Sequence, residues 1–178
     1  MIDIQSIKQK ARDMELVYPI VLVEGPDRCG KSTLTKRLMD KHPNHVYIHN
    51  AVVDDICSLH SNALEAALTA SKTHWVFIDR MHLSENVYGT LFRDGPSYDT
   101  EAFDKLLAEI PNMHKILCII DKDTALKLHS ENKANEMFDD ISKVYDKYLE
   151  TDSSWIRYSW QTDTIDLDTL EVKRGERQ

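Results

Sequence analysis

The sequence predicts an α/β protein of three layers, a parallel sheet of about five strands with helices on both faces. Short continuous apolar runs, "YPIVLVE", "HWVFID" and "KILCIID", alternate with segments of helical periodicity. Runs of that kind belong to strands buried on both faces, and their alternation with helices implies parallel crossover units. The first run also ends in a glycine-framed loop that leads directly into an amphipathic segment. No internal repeat or low-complexity linker divides the 178 residues, which suffice for one domain, 1–178, with a buried core.

The elements follow in order. Between Asp3 and Met14, the spacing of Ile4, Ile7, Ala11 and Met14 predicts a short amphipathic helix. "YPIVLVE" is a buried strand, and Lys31 to Asp40 a helix. "HVYIHN" is a short candidate strand. Asp54 to Ser71 is helical, with Ile56, Leu59, Ala63 and Ala67 along one side. After the strand "HWVFID", Ser84 to Phe92 reads as a capped helix. Gly95-Pro96 makes "RDGPSYD" a loop. Thr100 to Glu109 is a helix with Thr100 as its N-cap. "KILCIID" is a third buried strand, Ala134 to Leu149 a long helix, and either "SWIRYSW" or "DTIDL" supplies the last strand.

Composition narrows the function classes. Hydrophobic content of 42% and charged content of 29% are ordinary for a soluble protein. The longest apolar runs are too short to cross a bilayer, and the first residues do not read as a secretory signal. Three cysteines at unrelated spacings suggest a reduced intracellular setting, the cytoplasm, or a host's cytoplasm for a viral protein. A net charge of −8 argues against a large sequence-independent nucleic-acid surface, while leaving room for a local basic cleft. Lys173, Arg174 and Arg177 are expected to form a solvated tail. A homodimer remains open.

The chemistry concentrates in "EGPDRCGKST". Gly25, Gly30, Lys31 and Ser32 form G-x-x-x-x-G-K-S, between an apolar strand and a helix. The glycines permit a tight loop, Gly25 to Thr33, whose backbone N–H groups form a nest for anionic oxygens. The following helix adds its positive end. Lys31 reaches β- and γ-phosphates and the Ser32 hydroxyl ligates Mg²⁺, so ATP and Mg²⁺ are the expected ligands. Pro26, Asp27, Arg28, Cys29 and Thr33 complete the loop. Cys29 sits near a helix N-terminus, where a thiol pKa tends to fall, though a small residue filling the loop is the simpler explanation.

"EGPDRCGKST" resembles the phosphate loop of thymidylate kinases, in the type with Asp and Arg inside the loop. "FIDRMHLSENVYG", one strand later, is similar to that family's D-R-x-x-x-S segment. The two motifs cover about a fifth of the chain. The likeness is to a compact, phage-type member. It implies that Arg28 reaches the transferring phosphoryl group and that Asp27 lies toward the acceptor sugar. It also implies that Asp79 organises Mg²⁺ through water or orients the attacking oxygen, and that Arg80 binds acceptor phosphate. Ser84 to Tyr88 would form part of the acceptor wall. These roles agree with the chemistry, because phosphoryl transfer depends on positioning and on neutralised charge, and arginine binds phosphate oxygens in pairs. A strand-end ion pair at Asp79-Arg80 and helix capping at Ser84 and Glu85 are the structural alternatives.

Two departures bear on the acceptor. "HVYIHNAVVDDICSLH" lacks the arginine that clamps the acceptor monophosphate in that family. His45, His49 or His60 would substitute weakly, and Arg93 is the nearest basic replacement. The lid is reduced to about 122–133, "KDTALKLHSENK", and has no arginine. A pyrimidine deoxynucleoside monophosphate of dTMP type is the leading acceptor. The alternative is the hydroxymethyl group of 5-hydroxymethyluracil in DNA, a base flipped out against Trp75, Tyr88, Tyr98, Trp155 or Trp160. A nucleotide-dependent switch without transferase activity is a third possibility.

Overall fold

The computed structural model describes residues 3–50, 53–130, 138–151 and 154–175. Five parallel strands form the main sheet: β1 (Ile20–Glu24), β2 (His45–His49), β3 (Trp75–Asp79), β4 (Met113–Cys118) and β5 (Ile156–Tyr158), in the order β2-β3-β1-β4-β5. The chain builds one flank, β2 and β3, then crosses β1 to build the other. This makes the carboxyl end of β1 the switch point, where ligands of open α/β sheets collect.

The continuous apolar runs follow from the layers. Ile20, Leu22, Val76 and Ile78 pack with Leu64, Val87, Phe103 and Leu107 on one face. Val21, Val23, Phe77 and Cys118 pack with Leu34, Leu38 and Ala125 on the other. The helices are α1 (Ile4–Asp13), α2 (Lys31–Lys41), α3 (Ile56–Ala70), α4 (His82–Phe92), α5 (Thr100–Ala108), α6 (Lys122–Ser130) and α7 (Phe138–Leu149). Helix α7 contributes to both faces, Val144 and Tyr148 to one and Tyr145 to the other.

Several boundaries differ from expectation. Helix α4 starts at His82, two residues before Ser84, because its first amides find an acceptor on β1. The cap of α5 is Asp99, whose carboxylate accepts the Ala102 N–H at 2.9 Å; Thr100 is already helical. Strand β4 is shifted toward the N-terminus and stops before "IID". Most of the expected lid is helix α6, started by Asp121, which accepts the Thr124 N–H at 2.8 Å. Residues 131–133 of that lid, and 134–137 of the long helix, lie outside the described residues.

"SWIRYSW" supplies β5, whereas "DTIDL" forms β6 (Asp163–Ile165), which pairs antiparallel with β7 (Val172–Arg174) in a separate hairpin. Lys173 is exposed, but Arg174 is not a free tail charge: it donates to the buried Asp163 carboxylate at 2.7 Å. Arg177 lies outside the described residues. Among the described residues, no helix is long and apolar enough to cross a membrane.

Candidate active site

The loop from Gly25 to Gly30 leaves the buried end of β1 at the switch point of the sheet. Two of its glycines are required by space and conformation. A Cβ on Gly25, at φ +139°, would lie 2.1 Å from the Cys118 carbonyl oxygen, and one on Gly30, at φ +90°, would strike the Trp160 ring at 2.6 Å. Arg28 also adopts a left-handed conformation, φ +63°, with its side chain exposed and paired with no other described residue. Ser32 and Thr33 are exposed in the first turn of α2.

Lys31 is buried, and its ammonium folds back on the loop, donating to the Pro26 carbonyl at 2.7 Å. Burial, and then the nearby Arg80 guanidinium, lower its pKa, while Asp27 partly restores it. Asp27 Oδ1 lies 3.9 Å from Lys31 Nζ and also accepts from Arg80. The carboxylate of Asp27 therefore bridges Lys31, at the start of α2, and Arg80, just after β3. Lys31, Asp27 and Arg80 meet beyond the carboxyl ends of β1 and β3.

Cys29 is fully buried rather than reactive. Burial pushes its thiol up to about 11, against the lowering effect of Lys31. A helix N-terminus would favour a thiolate, but loss of hydration outweighs it here.

At the end of β3, Asp79 is held from the edge strand. Its Oδ2 accepts from the Tyr47 hydroxyl at 3.0 Å and lies 3.3 Å from His49 Nδ1. Tyr47 and His49 are two apart on β2 and so share a face. Asp79 Oδ1 is buried without a hydrogen-bond partner, as is Thr35 Oγ1. An orphaned carboxylate oxygen suits a divalent ion carried mainly by phosphates and water, with Ser32 as the other protein oxygen. Among the described residues, no cluster of three acidic, histidine or cysteine side chains is built to hold a metal alone.

Beside this point opens a cleft of about 770 Å³ whose walls include Asp27, Asn50, Ile56, Arg80, Tyr88 and Arg93. Arg80 extends over the Tyr88 ring, 5.9 Å from its centroid, and donates to Ser84 Oγ at 3.2 Å. Ser84 lies inside the first turn of α4, so it does not cap the helix. Its hydroxyl contacts Glu24, Arg80 and Tyr148.

Arg93 supplies little free charge, because it donates to Glu85 Oε2 at 2.5 Å and to Ser97 Oγ at 3.2 Å. Burial would raise the Glu85 pKa, but the Ser97 amide and Arg93 outweigh it and hold the carboxyl below its ordinary value. His60, also on this wall, is pushed down to about 4 by burial and by His82, and it bonds the Tyr98 hydroxyl at 2.6 Å. It is neutral at pH 7 and replaces no arginine. His45 bonds the His42 carbonyl, and His49 serves Asp79.

The aromatic residues divide in the same way. Trp75 stacks on His42 at 3.7 Å, Trp155 is buried beneath Lys115, and Trp160 covers Gly30. Tyr88 alone of the five lines the cleft.

Glu24 was not expected at the site, yet it is fully buried and binds the start of α4. One signal in the sequence marked it: a carboxylate closing the wholly apolar strand "IVLV". A larger cavity, about 1100 Å³, lies at the carboxyl ends of β4 and β5. Its cations are committed to the protein: Lys122 to Asp146, Arg174 to Asp163, and Arg157 to the Leu149 and Thr151 carbonyls.

No family model and no curated protein matches the sequence. Solved structures do match. The YorR protein of Bacillus subtilis, crystallised with phosphorylated GDP, superposes with a TM-score of 0.63 at 22% identity, over 79% of this chain and 84% of that one. Thymidylate kinase from Candida albicans gives 0.49 at 18% identity, over 82% and 84%. The Ehrlichia chaffeensis thymidylate kinase gives 0.38 at 16% identity, over 75% and 85%. The five-stranded sheet, its order and its flanking helices are those of the P-loop kinase fold, and the YorR superposition shows that fold in a second protein.

Proposed function

We propose that the protein is a phosphotransferase that moves the γ-phosphoryl group of ATP to a nucleotide acceptor, with a pyrimidine deoxynucleoside monophosphate of dTMP type as the leading candidate. The carrying observation is the convergence of Lys31, Asp27 and Arg80 at the switch point, beside a cleft large enough for one nucleotide. A nucleotide switch needs the lysine but has no use for an acceptor-side arginine.

In this reading the backbone amides of Gly25 to Ser32 bind the donor phosphates, and the Lys31 ammonium exchanges the Pro26 carbonyl for phosphate oxygens. Arg28, exposed within the loop, neutralises charge on the transferring group. Ser32, and Asp79 through water, would hold Mg²⁺, which would supply further charge neutralisation. Arg80 aligns the acceptor phosphate while Asp27 faces the acceptor sugar. Tyr88, Ser84 and Arg93 belong to the wall that receives the acceptor. Transfer breaks the bond from the γ-phosphorus to the β–γ bridging oxygen and forms one to an acceptor phosphate oxygen, leaving ADP and a nucleoside diphosphate.

One observation supports the polymeric alternative. Both arginines of the cleft are engaged by carboxylates, Arg80 by Asp27 and Arg93 by Glu85, so a dianion would meet little uncommitted positive charge. A hydroxyl on 5-hydroxymethyluracil in DNA makes no such demand.

The test is transfer of label from γ-labelled ATP to a panel of deoxynucleoside monophosphates, guanine nucleotides and duplex DNA containing 5-hydroxymethyluracil. The guanine nucleotides are included because YorR was solved with phosphorylated GDP. Label in dTMP is the expected result. Label confined to DNA would overturn the mononucleotide assignment, and ATP binding without transfer would favour the switch.

A further inference from the structure

We infer that Glu24 is a positioning residue, which fixes Arg80 by tying the Asp79–Arg80 turn to the strand that carries the phosphate loop. The inference rests on the kinase reading above and adds to it a buried residue to which that reading gives no role. Glu24 is 0% exposed. Its Oε1 accepts the Met81 N–H at 2.6 Å and the Ser84 N–H at 3.1 Å, and its Oε2 accepts from Ser84 Oγ at 2.5 Å. The next residue is Gly25, the first of the phosphate loop.

Arg80 is clamped at both of its peptide bonds. It adopts φ +66°, a conformation that a non-glycine residue keeps only when its surroundings impose it. Its N–H donates to the Val23 carbonyl at 3.1 Å, and its own carbonyl accepts from Asn50 Nδ2 at 2.6 Å. Glu24 then takes the very next amide. Ser84, held by Glu24, in turn accepts from the Arg80 guanidinium, and the Tyr148 hydroxyl lies 2.8 Å from the Ser84 hydroxyl. The backbone and the guanidinium of Arg80 are therefore both referred to the end of β1.

A simple capping role accounts for less. Helix α4 has no side-chain cap of its own, since Met81 occupies that position. Ser, Thr or Asn there would accept the Ser84 amide without burying a carboxylate. Reaching instead from β1, about 60 residues earlier in the chain, the carboxylate joins two separate segments. Those segments carry the donor-side and acceptor-side groups, whose spacing must be held for in-line transfer.

The experiment is a double-mutant cycle between Glu24→Gln and Arg80→Ala, with kcat and KM for the best acceptor, ATP affinity by calorimetry and Tm measured for each. Glu24→Gln is expected to lower kcat/KM about 100-fold, the loss typical of slight misplacement of a reacting group, with ATP affinity nearly unchanged. In the Arg80→Ala background the same change is expected to have no further effect. A loss that persists undiminished in that background, or full activity in Glu24→Gln, overturns the inference.

Should Glu24→Gln not fold, Ser84→Ala removes the Oε2 partner while keeping both backbone hydrogen bonds. It is expected to lose about 10-fold, again only when Arg80 is present, and an additive loss overturns the proposal. A wild-type protein that labels no acceptor removes the kinase reading and this inference together. Active wild type with additive variants removes the positioning role alone.

Discussion

Lys31, Asp27 and Arg80 form a row of alternating charge, and each member's environment depends on the other two. Burial and the neighbouring guanidinium depress the Lys31 pKa, so the ammonium depends on Asp27 and, in the proposed complex, on phosphate. Lys31→Ala is expected to lower kcat/KM by about 100- to 1000-fold, as loss of one preorganised donor does. Arg80→Ala should weaken the transition state by about 3 kcal/mol in kcat/KM while leaving ATP affinity intact. An effect on Tm alone would reduce Arg80 to a structural ion pair. Cys29 yields a different kind of prediction. With its thiol buried and pushed up to about 11, iodoacetamide at neutral pH should modify half-buried Cys57 before Cys29 or Cys118. Peptide mapping by mass spectrometry checks the order, and rapid labelling of Cys29 would contradict it.

Helices α4 and α5 meet strand β4 through one buried polar cluster. Asp104 on α5 accepts from Lys115 at 2.9 Å through both oxygens and bonds His82 Nε2 at 2.6 Å. Burial raises the Asp104 pKa, but His82 and Lys115 prevail and bring it to about 2. The folded value lies below the unfolded one, so the contribution is fully present above about pH 4 and is lost as pH falls through about 2. Water reaches this partly exposed carboxylate and screens the pair, which leaves about 1 kcal/mol. Asp104→Asn should be less stable than wild type in urea at pH 7, by an amount that shrinks between pH 4 and pH 2. A pH-independent difference would mean that packing, not charge, holds these elements. The same logic, on a surface loop, explains Arg93: Glu85 and Ser97 pin the turn after α4, which shapes the cleft wall but neutralises the arginine.

The whole sheet brings these parts together through its strand order. Because β1 separates flanks built before and after the crossover, residues from β1, β3 and α4 converge at its carboxyl end. Binding at this point should stabilise the folded state by mass action. ATP at 100 times its Kd is expected to add about 2.7 kcal/mol, visible as a rise in Tm. Lys31→Ala should abolish the rise at the same concentration, and a retained rise would locate the nucleotide elsewhere, with the 1100 Å³ cavity as the first alternative.

Local regularities made much of this molecule readable in advance. Unbroken apolar runs identified the three central strands because burial on both faces removes the polar alternation. Glycine spacing identified the tight turn between β1 and α2 because a left-handed conformation and contact with the Cys118 carbonyl exclude a side chain. Other features depended on approach across the chain. Helix α6 was hidden in a polar segment whose cap, Asp121, looked like the end of a strand. Arg93 looked like a free cation until Glu85 was brought to 2.5 Å, and His60 like a weak clamp until burial made it neutral. Glu24 could be seen as an oddity in an apolar strand, but its partners lie 57 and 60 positions away. Hydrophobic periodicity and backbone sterics act between neighbours in sequence. Charge states and buried hydrogen bonds are settled only when distant segments exclude water from one another.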